Sequence, residues 1–187
     1  GIINGSILAL IAMGIALVWG VMNILSFSQG EFLMLGMFVS YYANRYLGLD
    51  PIVAMPLSAG ALFLLGIVIY KLIISRALRG PILSQRLITF ALSMVLVYSA
   101  QMFFGAEYKQ LVNPVIFSGT IDLGFITIAK QKLVPFILAL LVAGLLFLFL
   151  NRTRMGKAIQ ATSMDRYAAG LVGINPDRSY TIAFAMA

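Results

Sequence analysis

The chain has 187 residues, 61% of them hydrophobic and only 10% charged, with 13 Lys and Arg against 6 Asp and Glu for a net charge of +7. A water-soluble domain keeps about a quarter of its residues charged, so this composition excludes an ordinary soluble globule. With no Cys and no His in the sequence, disulfides, Cys/His metal centres and histidine acid–base chemistry are excluded too.

Spanning the hydrocarbon of a bilayer takes about 20 apolar residues as a helix. The first such run covers Ile3 to Met22 and is too long for the core of a signal peptide. A second, shorter run extends from Phe32 to Asn44 and ends at the aromatic pair Tyr41 and Tyr42 and at Arg45. Pro51 to Tyr70, Leu87 to Ala106 and Leu133 to Leu150 are the third, fourth and fifth. A sixth begins near Tyr180. The runs lack the alternation of a membrane barrel, and backbone groups in lipid must bond internally, so helices are expected. The predicted fold is all-α, a polytopic transmembrane helical bundle forming a single domain over residues 1–187. Because the chain starts at Gly1 without Met and stops at Ala187 inside the apolar run TIAFAMA, it reads as a fragment with five spans and the start of a sixth.

The basic residues sit in short stretches between these runs, a pattern of membrane orientation rather than of a nucleic-acid-binding face. Lys71, Arg76, Arg79 and Arg86 mark the loop between the third and fourth spans; Arg152, Arg154, Lys157, Arg166 and Arg178 fill the loop after the fifth. Two crossings apart, these loops share one side, and the positive-inside bias makes residues 71–86 and 151–178 cytoplasmic. Glu107 to Lys132 then lies outside, the N-terminus lies outside, and the polar connection near Gln29 falls on the cytoplasmic half.

The loop from Asn151 to Arg178 admits two readings. A positively charged anchor accounts for Arg152 and Arg154. It leaves unexplained why Lys157 to Met164 and Arg166 to Val172 each suit about two helical turns, with Ala158, Ala161, Ala168 and Ala169 offering small packing surfaces. Gly173 is placed as a left-handed C-cap with Ile174 making the accompanying apolar contact. Asn175 can cap a new helix with Pro176 at its first position and Asp177 in its first turn. On the second reading, these are short ordered helices presented to a partner protein.

The stretch SFSQGEF, Ser26 to Phe32, interrupts the apolar pattern between the first two spans. The simpler reading, favoured by the sequence alone, is a cytoplasmic turn with Glu31 solvated near the start of the second helix. The other is a broken helix in which Ser26, Ser28, Gln29, Gly30 and Glu31 line a translocation path. Met34 and Met37 read as lipid-facing or packing positions, Gly14 and Gly20 as places of close helix crossing, and Asp122 as a solvated acid.

Three blocks resemble branched-chain amino acid ABC transporter permeases of the LivH type. RMGKAIQATSMDRYAAGLVGINPDR is similar to that family's cytoplasmic loop, with Arg154, Met155, Gly156, Lys157, Ala158, Ala161, Asp165, Ala168, Leu171, Gly173, Ile174 and Asn175 in matching places. RALRGPILSQRLITFALS, Arg76 to Ser93, resembles its earlier loop and the following T-x-G-L-S span, without a clear match to the glycine. GIALVWGVMNILSFSQGEFLMLG resembles its N-terminal signature, with Ser26 and Ser28 in place of the usual Asn and Ala.

The resemblance implies a permease subunit of an importer for branched-chain or related amino acids and amides, in a bacterial or archaeal cytoplasmic membrane. It implies partners: ABC ATPase subunits resting on the twelve loop residues named above, a second homologous permease and an extracytoplasmic substrate-binding protein. The chain contains no G-x-x-x-x-G-K-[ST] phosphate loop, so it does not hydrolyse ATP by itself. No cofactor, metal or nucleic acid is expected. An ion-gradient-driven transporter or channel is the alternative, disfavoured because the runs hold no internal charge. An enzyme is disfavoured because no close carboxylate pair or histidine is available.

Overall fold

The computed structural model describes residues 2–24, 26–78, 80–105, 120–122 and 127–187. Its helices are α1 (Ile2–Met22), α2 (Gln29–Leu47), α3 (Pro51–Ile69), α4 (Ile82–Phe104) and α5 (Lys130–Arg152), followed by α6 (Arg154–Met164), α7 (Arg166–Leu171) and α8 (Pro176–Met186). Helix α3 runs on through a π-helical turn, Tyr70–Ile74, and a last turn, Ser75–Ala77. Beyond the predicted helices lies a small hairpin, β1 (Thr120–Asp122) with β2 (Thr127–Ala129), antiparallel and pairing Asp122 with Thr127. Most of the external loop predicted over Glu107 to Lys132, apart from this hairpin and the start of α5, lies outside the described residues.

Among the described residues, three helices are long and apolar enough to cross a membrane: Pro51–Ala77, Leu83–Phe104 and Pro135–Arg152. Leu8–Met22 of α1 is a shorter apolar segment. Large apolar side chains stand on the outside of this bundle, among them Leu64, Val68, Val95, Leu145 and Phe147. A chain in water would bury them; a membrane-embedded bundle presents them to lipid.

Local chemistry sets the helix boundaries. Gly48 ends α2 in the left-handed region (φ 64), its N–H bonding the Asn44 carbonyl at 3.1 Å. The Asn44 amide donates to the Leu49 carbonyl at 2.9 Å. Asp50 then accepts the Ile52 N–H at 3.0 Å, and Pro51 opens α3 with its ring already at a helical φ. The product is a tight antiparallel pair, close enough at Gly36 that an added Cβ would stand 2.9 Å from Leu62 Cδ1.

Helix α8 packs along α3. A Cβ on Gly66 would come within 2.9 Å of Ala185 Cα, and the Tyr70 and Phe184 rings lie 6.1 Å apart. The start of α8 therefore sits beside the π-helical end of α3, which brings the basic segments 71–86 and 151–178 to one end of the bundle, as parity requires. The core joins Val18 and Met22 of α1, Tyr70 and Ile74 of the π turn, Leu92 of α4, Ile159 of α6 and Phe184 of α8. Toward the opposite end, Phe38 stacks on Phe104 at 4.7 Å, Tyr42 lies 5.3 Å from Phe104 and 5.8 Å from Tyr46. Aromatic clusters of this kind suit a membrane–water interface.

Candidate functional site

At the basic end, the chain leaves α5 and is re-aimed within one residue. Thr153 is extended (φ −95, ψ 151); its hydroxyl donates to the Phe149 carbonyl at 2.7 Å and accepts the Gly156 N–H at 2.9 Å. This cap starts α6 at Arg154, three residues earlier than predicted. Gly156, Ile159 and Thr162 form the buried face of α6, three residues apart as one helical stripe requires. Asp165 is extended (φ −152, ψ 110) and ends α6 while capping α7, its carboxylate accepting the Tyr167 and Ala168 N–H groups at 2.8 and 3.0 Å.

Helix α7 buries only Ala169. It closes as the glycine pattern predicts: Gly173 has φ 84, the Ile174 N–H bonds the Ala169 carbonyl at 3.0 Å, and the Gly173 N–H bonds that of Gly170 at 3.2 Å. These two bonds make a Schellman motif. Asn175 then caps α8 through the Arg178 N–H at 3.2 Å, with Pro176 at its first position. Arg166 clamps the loop onto the bundle, pairing with Asp177 at 3.1 Å and lying 5.4 Å over the Tyr180 ring.

Of the twelve loop residues singled out in the sequence, Arg154, Lys157, Asp165, Ala168 and Leu171 are exposed. Met155, Gly156, Ala158, Ala161 and Ile174 are wholly or partly buried, and Gly173 and Asn175 shape turns. Three exposed side chains were missed: Met164 at 88%, Tyr167 at 78% and Val172 at 75%, beside Leu171 at 73%. Large apolar groups this open, on a loop rich in charge, form a ledge rather than a lipid-facing stripe. A groove of about 360 Å³ runs between Arg166, Tyr167, Gly170, Leu171 and Pro176. The signal in the sequence was the presence of these apolar residues within an otherwise polar loop.

The second candidate region departs from its favoured reading. Asn23 ends α1 with φ 54, a conformation Asn tolerates, and its side chain accepts the Trp19 indole N–H at 3.1 Å. The chain then folds back into the bundle. Ser28 is fully buried and its hydroxyl lies 3.1 Å from that of Ser26. Gln29 donates to the Ala187 carbonyl at 2.7 Å, and a Cβ on Gly14 would stand 3.1 Å from the same Gln29 nitrogen. Glu31 accepts the Ser93 hydroxyl at 2.6 Å.

These contacts fix the depth. Gly14 precedes Met22 by eight residues, while Ala187 and Ser93 follow Pro176 and Ile82 by eleven. At 1.5 Å per residue that is about 12 to 17 Å from the basic end, against half of a roughly 30 Å hydrocarbon core. Helix α2 thus begins near mid-depth. Glu31 is half-buried with its Oε2 shut off from solvent, not solvated in a turn at the surface. The five apolar runs hold no charge, as expected, but the returning chain carries this carboxylate inside just before the second of them. Gly30 alone of the five residues is exposed, Ser26 and Ser28 are buried, and Gln29 and Glu31 are partly so.

Comparison with known proteins identifies the family. The family model described as "Branched-chain amino acid transport system / permease component" matches residues 1–187. The chain is 27% identical over 200 residues to the high-affinity branched-chain amino acid transport system permease protein BraD of Pseudomonas aeruginosa, covering all of this chain and 64% of that protein. It is 30% identical over 197 residues to the corresponding permease protein LivH of Escherichia coli K12, and 29% to that of Salmonella typhimurium, with the same coverage. The chain thus spans 64% of the length of these relatives. No solved structure gives a significant match.

Proposed function

Because the chain belongs to the branched-chain amino acid transport system permease family, we propose that it is the membrane-spanning part of an ABC importer. Its cargo would be branched-chain or related amino acids and amides, crossing a bacterial or archaeal cytoplasmic membrane. The observation that carries this reading is the ledge at the basic end: two short helices with side-chain caps at both N-termini and a glycine closure after the second, pinned by Arg166–Asp177 and tipped by Met164, Tyr167, Leu171 and Val172. A floating linker needs neither caps nor an apolar tip. A surface that must transmit force needs both rigidity and a place to be gripped.

On this reading, residues 71–86 and 151–178 face the cytoplasm, and separate ATPase subunits close on the ledge. Gly156 and Thr153 transmit that movement to α5, and Asn175 to α8. The broken entry of α2, with Ser26, Ser28, Gln29, Gly30 and Glu31, lines the path along which cargo crosses. A second homologous permease completes the path, and an extracytoplasmic binding protein delivers cargo on the side of the Phe38–Phe104 cluster. No enzymatic chemistry is required of this chain.

Co-purification tests the reading. An ATPase should accompany the full-length protein and be lost on deleting Met155–Ile174, or on replacing Tyr167 and Leu171 with Asp, which leaves the bundle intact. Cys placed at Ser28 should react with a thiol reagent and be protected by transported amino acid. Amino-acid flux that runs on an ion gradient with no ATPase present would overturn it.

A further inference from the structure

Glu31 occupies a position that electrostatics makes costly. Its Oε1 accepts the Ser93 hydroxyl at 2.6 Å, whereas Oε2 is closed to solvent and has no hydrogen-bond partner among the described residues. The ion pair found among those residues, Arg166–Asp177, lies at the basic end. The other acids described in side-chain detail are elsewhere too: Asp50 caps α3, and Asp165 and Asp177 shape the loop. A carboxylate at mid-depth without a counter-charge is unfavourable unless something completes it. The first turn of α2 offsets part of that through its dipole, but supplies no proton to Oε2.

The backbone next to this carboxylate is open to the outside of the bundle. Gly30 is exposed, and a Cβ added there would find nothing within 4 Å. On the other flank Ser93 of α4 fixes the carboxylate in place, since its hydroxyl reaches Oε1 from a helix 62 residues away in sequence. A fixed carboxylate oxygen without a partner, closed off in this state but one residue from exposed backbone, is complementary to a small cation carrying several N–H donors once movement of the bundle uncovers it. A primary ammonium is such a group, and a charge-assisted bond to it would satisfy Oε2 and neutralise the site at once.

We propose that Glu31, positioned by Ser93, receives the ammonium group of the amino-acid cargo as it passes the break between α1 and α2. The pair then selects for an amino group at mid-membrane, a second check after the binding protein. This inference rests on the reading that residues 26–31 line the path.

The test uses the complete transporter, with its ATPase and binding protein, in proteoliposomes, with L-leucine as cargo. Glu31→Gln keeps the shape and the Ser93 contact but removes the charge. It should lower uptake roughly 10- to 100-fold, the span expected for a lost charge-assisted bond, while ATP hydrolysis stimulated by the loaded binding protein persists. In the unaltered complex a hydrophobic carbodiimide should label Glu31. L-leucine should slow that labelling during ATP turnover; its deaminated analogue, 2-hydroxy-4-methylpentanoate, should not. Wild-type uptake by Glu31→Gln, or labelling indifferent to L-leucine, overturns the proposal. If Cys at Ser28 is still protected by L-leucine in that case, the path reading survives and only the ammonium site falls. If Ser28 is indifferent as well, both fall.

Discussion

Gly156 lies so close beneath Leu150 that a Cβ added to it would stand 2.5 Å from the Leu150 Cα. Both sides of that contact are backbone, so neither can swing aside as a side chain would. The reversal of the chain from α5 into α6 is thereby tied to a residue without a side chain. Helix α6 is held against the end of α5.

Gly156→Ala should therefore pry α6 away from α5. Overpacking of this kind costs about 1–3 kcal/mol, a fall of roughly 2–12 °C in the unfolding midpoint of a chain this size. Uptake should drop while ATP hydrolysis continues, because the ledge can still be gripped but no longer drives the bundle. Bulky or acidic replacements at half-buried Ala158 should act in the same direction. Thermal melts and paired uptake and hydrolysis assays on the reconstituted complex check this, and unchanged coupling in Gly156→Ala would refute it.

Tyr167 and Leu171 should behave in the opposite way. Both are exposed on α7, so Tyr167→Asp and Leu171→Asp should leave the unfolding midpoint within about 1–2 °C of the parent. If either side chain is a central anchor of the ATPase interface, its loss weakens association by about 2 kcal/mol or more, roughly 30-fold. A titration of the purified ATPase onto the permease measures it. Undiminished affinity in both variants would remove the ledge from the interface.

Asp165 holds two N–H groups at the start of α7. Asp165→Ala should cost about 0.5–2 kcal/mol, and in a helix this short the loss should appear as fraying rather than as global unfolding. Amide exchange at Tyr167 and Ala168 is expected to rise about 3- to 30-fold, with exchange in α3 and α4 unchanged. Asp165→Asn should restore most of the protection, since Asn caps nearly as well.

Gly66 meets Ala185 across the α3–α8 contact. Gly66→Val should separate the two helices, with a cost of about 1–3 kcal/mol, and disturb the Tyr70–Phe184 ring contact of 6.1 Å below it. Gly66→Ala should lie between the two. A crosslink between cysteines introduced at exposed ends of α3 and α8 would report the spacing; equal crosslinking in Gly66→Val and the parent would count against this packing role.

How much of this was legible beforehand varied with the range of the interaction. The Schellman closure at Gly173 and the Asn175–Pro176 cap were readable because each is made within six residues of backbone. The caps at Thr153 and Asp165 were equally local, yet the alanine pattern drew the helix start to Lys157 instead of Arg154. The π turn at Tyr70–Ile74 has no such local signature and arises where α3 meets α8. The exposed apolar tips Tyr167, Leu171 and Val172 have no such signature either, because which face of a short helix stays open depends on how the bundle covers it.

The sequence by itself determined that this protein is a membrane-embedded helical bundle with its basic loops at one end. Hydrophobic run length and charge placement respond to lipid and water directly, without reference to any particular neighbour. Only the tertiary structure decided that the stretch from Ser26 to Glu31 climbs back to mid-depth and that Glu31 meets Ser93. The same seven letters, SFSQGEF, would make an adequate surface turn. What draws them inward is packing between segments far apart in the chain, the Ser93 hydroxyl and the gap left by Gly14, neither of which a local pattern can reveal.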